Sequence, residues 1–197
     1  MKIRILSLIV AVFALTGCQA LSGDVSTNTT SKEAAPQWIS YKSNQVTLIY
    51  TSDINLRRLE ARLHTRYFSV SAVERDLFSN PSYNIERRII SRLESVLLRV
   101  EQILAMNPPY IELKIKIFRN RRELSQEYLG LFGAVQNYKS FYISSQDTIY
   151  TSMQDISDSV MSHELAHAVI DNYFKVTPPE KTAELLATYV DSHLERE

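Results

Sequence analysis

The sequence predicts an α+β domain, and three stretches carry that prediction. In "IELKIKIF" the residues Ile111, Leu113, Ile115 and Ile117 alternate with polar partners, the pattern of a strand buried on one face. Between Ile85 and Met106, the residues Ile85, Ile89, Leu93, Val96, Val100 and Ile103 recur at helical spacing, forming one apolar stripe on a long core-facing helix. The last part of the chain reads as two helices. Together these give a small, twisted, mostly antiparallel-edged sheet on one side and two closing helices.

The remaining elements follow in chain order. "QVTLIY" (Gln45 to Tyr50) has the composition of a short strand. Leu56, Leu59, Leu63 and Tyr67 then recur at helical spacing, although the alternation Leu59, Ala61, Leu63 also fits a strand. Asn120 followed by Glu123 is a helix-start signal for "RRELSQEYLGLF". "SFYIS" and "TIYTS" flank a polar "SQD" and predict two antiparallel strands joined by a short loop. Asp155 can cap a helix running to about Tyr173. "TPPE" (Thr177 to Glu180) is a capping signal with proline at the first helical position, leading into a helix with Ala183, Leu186, Ala187 and Val190.

Three segments divide the chain. Residues 1–17 hold two basic residues and a short apolar run, too brief for an ordinary membrane span, and read as a signal peptide. "LTGC" (Leu15 to Cys18) resembles the lipobox of bacterial lipoproteins, which implies that Cys18 is lipidated and becomes the mature N-terminus. Residues 18–36 are small and polar, a tether spanning about 20–25 Å as a random coil. Residues 37–197 are the expected folded domain. Cys18 is the sole cysteine, so that domain is held by its core rather than by disulfides. Removing Lys2 and Arg4 from the 22 basic residues leaves 20 against 22 acidic ones, a mature charge near minus two that gives no electrostatic case for nucleic acid.

"VMSHELAHAVIDNY" (Val160 to Tyr173) sets His163, Glu164 and His167 in an otherwise mostly apolar helix. Residues four apart lie one above the other on a helix, so the two imidazoles project from one face, with Glu164 about 100° around it. Two imidazoles so placed can converge on one zinc ion, and the glutamate can reach a water on that metal. This is the HExxH arrangement, in which the glutamate takes a proton as the water attacks a peptide carbonyl. A chance match occurs in roughly one chain in a hundred. Here the apolar flanks sharpen the signal, because buried imidazoles and a carboxylate are costly without a metal. The metzincin pattern requires glycine and histidine where this chain has Ile170 and Tyr173, so that subclass is rejected.

"HELAHAVIDNYFKVTPPEKTAELLATYVD" resembles the gluzincin metallopeptidases, the thermolysin-like group whose third zinc ligand is a glutamate on a following helix. That resemblance implies a zincin-like domain with Glu184 in "AELLATYVD" as the ligand and Ala187 as its small neighbour. Three other acids share the final helix. Glu180 falls in its first turn, Glu195 at its end, and Asp191 about 10 Å further along the axis. The resemblance also implies that one strand of "SFYISSQDTIYTS" pairs with extended peptide substrate, a use that an unpaired sheet edge permits. Asp191, on the same helical face as Glu184, can orient a ligand histidine through its second nitrogen, and Asp171 has a similar relation to His167. His64 and His193 lack such partners.

Only thirteen residues follow Glu184. The large gluzincins carry a further subdomain with pocket walls and an oxyanion-stabilising residue, so this chain resembles instead the compact minigluzincins. Tyr189, Tyr150 and Tyr142 are the candidate oxyanion donors. The expected function is a membrane-anchored, extracytoplasmic zinc metalloendopeptidase acting on peptide or protein substrates. The alternative is a latent or inactive zinc-binding envelope lipoprotein that acts as a binding or assembly module with an envelope protein partner. Because Gln19 follows Cys18, resemblance to sorted lipoproteins favours the periplasmic side of the outer membrane where the organism has one, and otherwise the outer face of the cytoplasmic membrane.

Overall fold

The alternation of Leu113, Ile115 and Ile117 belongs to a central strand of the sheet, whose apolar side chains are buried while Lys114 on the other face is exposed. The computed structural model describes residues 36–63 and 84–194. They lie within one compact unit, Ala35–Glu197, and combine a five-stranded mixed sheet with helices. The strands are β1 (Trp38–Lys42), β2 (Val46–Thr51), β3 (Leu113–Phe118), β4 (Ser140–Ile143) and β5 (Thr148–Ser152), in the order β1-β2-β3-β5-β4. The inner pairs β2–β3 and β3–β5 are parallel, and both edge strands run antiparallel to their neighbours. β4 and β5 are joined through a single 3-10 turn, Ser144–Gln146, with Asp147 in the left-handed region (φ 47).

The helices are α1 (Leu56–Arg62), α2 (Ile85–Leu104), α3 (Arg121–Phe132), α4 (Asp158–Tyr173) and α5 (Glu180–His193). The α2 stripe is buried as its spacing requires: Ile89, Leu93, Val96 and Val100 are almost fully covered. They meet Leu48, Ile115, Ile117 and Ile149 of the sheet in the main core, together with Met161, Leu165 and Val169 of α4. α4 packs against both α2 and α5 and also reaches β4. This central position explains why its apolar residues surround it instead of forming a stripe. On the other sheet face α3 covers a smaller cluster of Phe118, Leu124, Phe141 and Tyr150. Among the described residues no helix is long and apolar enough to cross a membrane.

Several local expectations are corrected. Ser157, not Asp155, caps α4, its hydroxyl accepting from the Val160 N–H, while Asp155 is held by Arg121 and by the Ser152 hydroxyl. "TPPE" supplies no side-chain cap: Pro179 occupies the N-cap position, Glu180 is the first helical residue, and the Thr177 hydroxyl donates to Asp171 instead. Asn120 does cap α3, accepting from the Glu123 N–H at 3.0 Å. Leu56 to Arg62 is helical, with Leu59 buried, and the strand alternative falls away. Cys18, His64, Tyr67 and Glu195 lie outside the described residues.

Candidate functional site

The helical spacing that sets His163 above His167 brings their Nε2 atoms to 3.3 Å from each other. Glu184 of α5 faces both, with Oε1 at 3.3 Å from His167 Nε2 and Oε2 at 3.6 Å from His163 Nε2. α5 comes close enough for this because Ala187, on its inner face, is fully buried and adds almost no bulk.

These separations can be set against a metal's requirement. Ligands placed tetrahedrally at 2.0–2.1 Å from zinc lie about 3.3 Å apart. His163, His167 and Glu184 offer three such atoms, all within 4.8 Å of one another, with two nitrogens and one carboxylate oxygen as the donor set. Three lone-pair donors converging on one point need a cation or shared protons among them, so the residues fit a zinc-type ion. Burial pushes the His167 imidazole towards its neutral form, the form that offers a lone pair. His163 Nδ1 lies 2.9 Å from Asp191 Oδ2, and this hydrogen bond draws the His163 pKa upward. With Nδ1–H donating to Asp191, Nε2 is left as the lone-pair atom aimed at Glu184 and His167.

Glu164, on the same helix, meets the edge strand β4. It is buried, only 7% exposed, and burial raises its pKa despite two hydrogen-bond partners and the nearby His163, all of which favour the charged form. The hydrogen-bond partners come from the edge strand: the Ser140 hydroxyl donates to Glu164 Oε1 at 2.5 Å, and the Tyr142 backbone also hydrogen-bonds the carboxylate. Sequence reasoning missed Ser140. A serine at the start of a strand has no spacing signal, and its partner lies 24 residues further along the chain.

Comparison with protein-family models, curated proteins and solved structures found no match to this chain.

A cleft of about 520 Å³ runs along β4 and contains His163, Glu164, His167 and Glu184. At the Ser144 end of β4, Asp171 gathers hydroxyls from Ser144, Thr177 (2.7 Å) and Tyr142 (3.5 Å). These bonds, not one to His167, occupy the Asp171 carboxylate. Of the three oxyanion candidates, Tyr142 alone lines the cleft, with its hydroxyl directed to Asp147 at 3.1 Å and to Asp171. Tyr150 is buried in the cluster under α3, hydrogen-bonded to Gln146. Tyr189 is exposed and stacks on His193, ring centroids 3.9 Å apart. At the Ser140 end the lining is aromatic: Tyr128, Phe132, Tyr138 and Phe141.

Proposed function

We propose that the chain is a zinc metallopeptidase of gluzincin type, anchored outside the cytoplasm through a lipid on Cys18. The observation that carries this reading is the convergence of His163, His167 and Glu184 at tetrahedral-edge distances, with the buried Glu164 beside them. A zinc ion held by His163, His167 and Glu184 would supply Lewis acidity at this point of the cleft. The protein's own groups handle the protons. Glu164, with its pKa raised by burial, is matched to accept a proton from the attacking water and to deliver it to the departing amine nitrogen. Asp191 holds His163 in the tautomer that presents Nε2. Among the described residues β4 is the outermost strand on the cleft side of the sheet, and a strand edge there suits an extended peptide as substrate.

One contact also supports the second reading, a zinc protein with latent activity. Ser140 occupies an oxygen of the would-be base, and that hydrogen bond can either position Glu164 or quench it. Zinc analysis of the purified protein, joined to cleavage of a peptide library, tests both. Stoichiometric zinc with cleavage that Glu164→Gln abolishes supports the peptidase. Zinc without cleavage leaves the latent protein, and absence of zinc overturns the metal site.

A further inference from the structure

Two prolines make the approach to α5 stiff. Pro178 and Pro179 have a fixed φ and no backbone N–H, so Thr177 is joined to Glu180, the first residue of α5, by a short strut with little rotational freedom. The Pro179 carbonyl then opens the helix, accepting from the Thr182 N–H at 2.8 Å and the Ala183 N–H at 3.1 Å. Glu184 follows about 6 Å further along the axis. This end of the helix has no side-chain cap. It has no anchor in the core either: the buried residues of α5 begin at Ala187, and Glu180, Lys181, Thr182, Glu184 and Leu185 are all exposed.

What holds the strut is Asp171. Its Oδ1 accepts from the Thr177 hydroxyl at 2.7 Å, while Oδ2 accepts from the Ser144 hydroxyl and lies 3.5 Å from that of Tyr142. One carboxylate of α4 thus ties the approach to α5 to the β4–β5 connection. Asp171 is four residues past His167 and eight past His163, so the tie and the two imidazoles share one face of one helix. At the other end of α5, Asp191 meets His163 at 2.9 Å. Glu184 therefore lies between two ties to α4. Its own side chain is half exposed (54%), so its place follows the helix backbone rather than packing. We propose that Asp171 and Thr177 are positioning residues for Glu184: the pair braces the Pro178–Pro179 strut against α4 and so sets the Glu184 carboxylate at the distance from His163 and His167 that a shared metal ion needs. The inference rests on the metal site of the metallopeptidase reading and extends it to two residues outside the three donors. Without the brace the first turns of α5 sample more positions, and ordering the carboxylate then costs part of the free energy of metal binding.

Three measurements on the full chain test the brace together: zinc affinity by chelator competition, the visible spectrum of the cobalt-substituted protein, and the urea midpoint of the metal-free protein. Thr177→Val, which keeps the branched shape and removes the hydroxyl, should weaken zinc binding by about tenfold and shift the cobalt spectrum towards that of Glu184→Ala. Thr177→Ser keeps the hydroxyl and should restore the wild-type values. Asp171→Ala should weaken zinc binding at least as much as Thr177→Val. In the Glu184→Ala background Thr177→Val should have no further effect on affinity, because the brace acts only through that carboxylate. A lower urea midpoint with unchanged zinc affinity, or an equal loss of affinity with and without Glu184, would make Thr177 a merely structural residue and overturn the brace while leaving the metal site intact. The expected pattern in a protein that cleaves no peptide supports the brace and removes the peptidase. A wild-type protein that takes up no zinc overturns both.

Discussion

The Ser140 hydroxyl and the Glu164 carboxylate are 2.5 Å apart, tying the first residue of the sheet edge to the glutamate of the HExxH helix. Glu164 is nearly buried, so this hydrogen bond is made to a charged group with little solvent to replace it. If it positions the base, Ser140→Ala should lower kcat by about 10- to 100-fold, the equivalent of one charged hydrogen bond, with zinc affinity unchanged. Glu164→Gln should abolish turnover while retaining zinc, because an amide cannot take the proton. A rise in kcat for Ser140→Ala would identify the hydroxyl as a restraint and favour the latent protein.

Arg121 and Asp155 make a bidentate pair that joins the start of α3 to the loop before α4, with Arg121 Nε donating to Asp155 Oδ2 at 2.8 Å. The guanidinium holds the Asp155 carboxyl below the ordinary carboxylate range. A depressed folded-state pKa stabilises the fold above the unfolded value of about 3.9 and loses that contribution as pH falls through the folded value. Arg121→Gln should therefore lower the urea midpoint at pH 7, with the gap to wild type closing towards pH 3. An equal gap at both pH values would remove this pair from the acid sensitivity of the fold.

Elements whose burial is one-sided were legible in the sequence. The α2 stripe and the β3 alternation follow directly from which residues are covered, and the HExxH spacing fixed two histidines on one face before any packing was known. β1 was not legible as a strand: it is an edge, four of its five residues are exposed, and its evidence is the pairing with β2. The α4 cap was misplaced because Asp155 and Ser157 are equally good capping residues two apart, and Arg121, distant in the chain, decides between them. Ser140 and the aromatic wall depend on contacts between separate elements. Their one sequence trace was the four-residue spacing of Tyr128 and Phe132.

Cys18 gives a prediction independent of the site. If "LTGC" is a lipobox, Cys18→Ser should block lipidation and leave unprocessed precursor or mislocalised protein, read by fractionation and N-terminal mass. An unchanged mature N-terminus in the membrane fraction would sink the anchor.

Ala105 ends α2 in the left-handed region (φ 51, ψ 38), its N–H bonded to Gln102 and Glu101 carbonyls. An L-residue there costs roughly 1–2 kcal/mol, whereas glycine adopts the conformation freely but loses more chain entropy on folding. The difference leaves Ala105→Gly more stable by about 0.5–1 kcal/mol. Chemical denaturation that shows a loss instead would mean the side chain's packing outweighs its backbone strain.

Glu184 and Asp191 stand in different relations to the two imidazoles. Glu184 oxygens lie 3.3 and 3.6 Å from the two imidazole nitrogens, at the spacing of atoms sharing one ion. Asp191 touches the far nitrogen of His163 at 2.9 Å, so it can act on a metal only through the imidazole. In the proposed zinc site, removing Glu184 deletes one of three protein ligands. Removing Asp191 frees the ring to rotate or change tautomer, an effect of about 10- to 100-fold on metal affinity. Chelator titration should therefore rank Glu184→Ala well below Asp191→Ala, and Glu180→Ala near wild type. Asp191→Ala should lose its effect once His163 is already replaced by alanine, because the two act as one unit. Full additivity in that double mutant would show that Asp191 reaches the metal by another route. If Asp191→Ala proved the most damaging single change, the glutamate-liganded assignment would fall to an aspartate-liganded one.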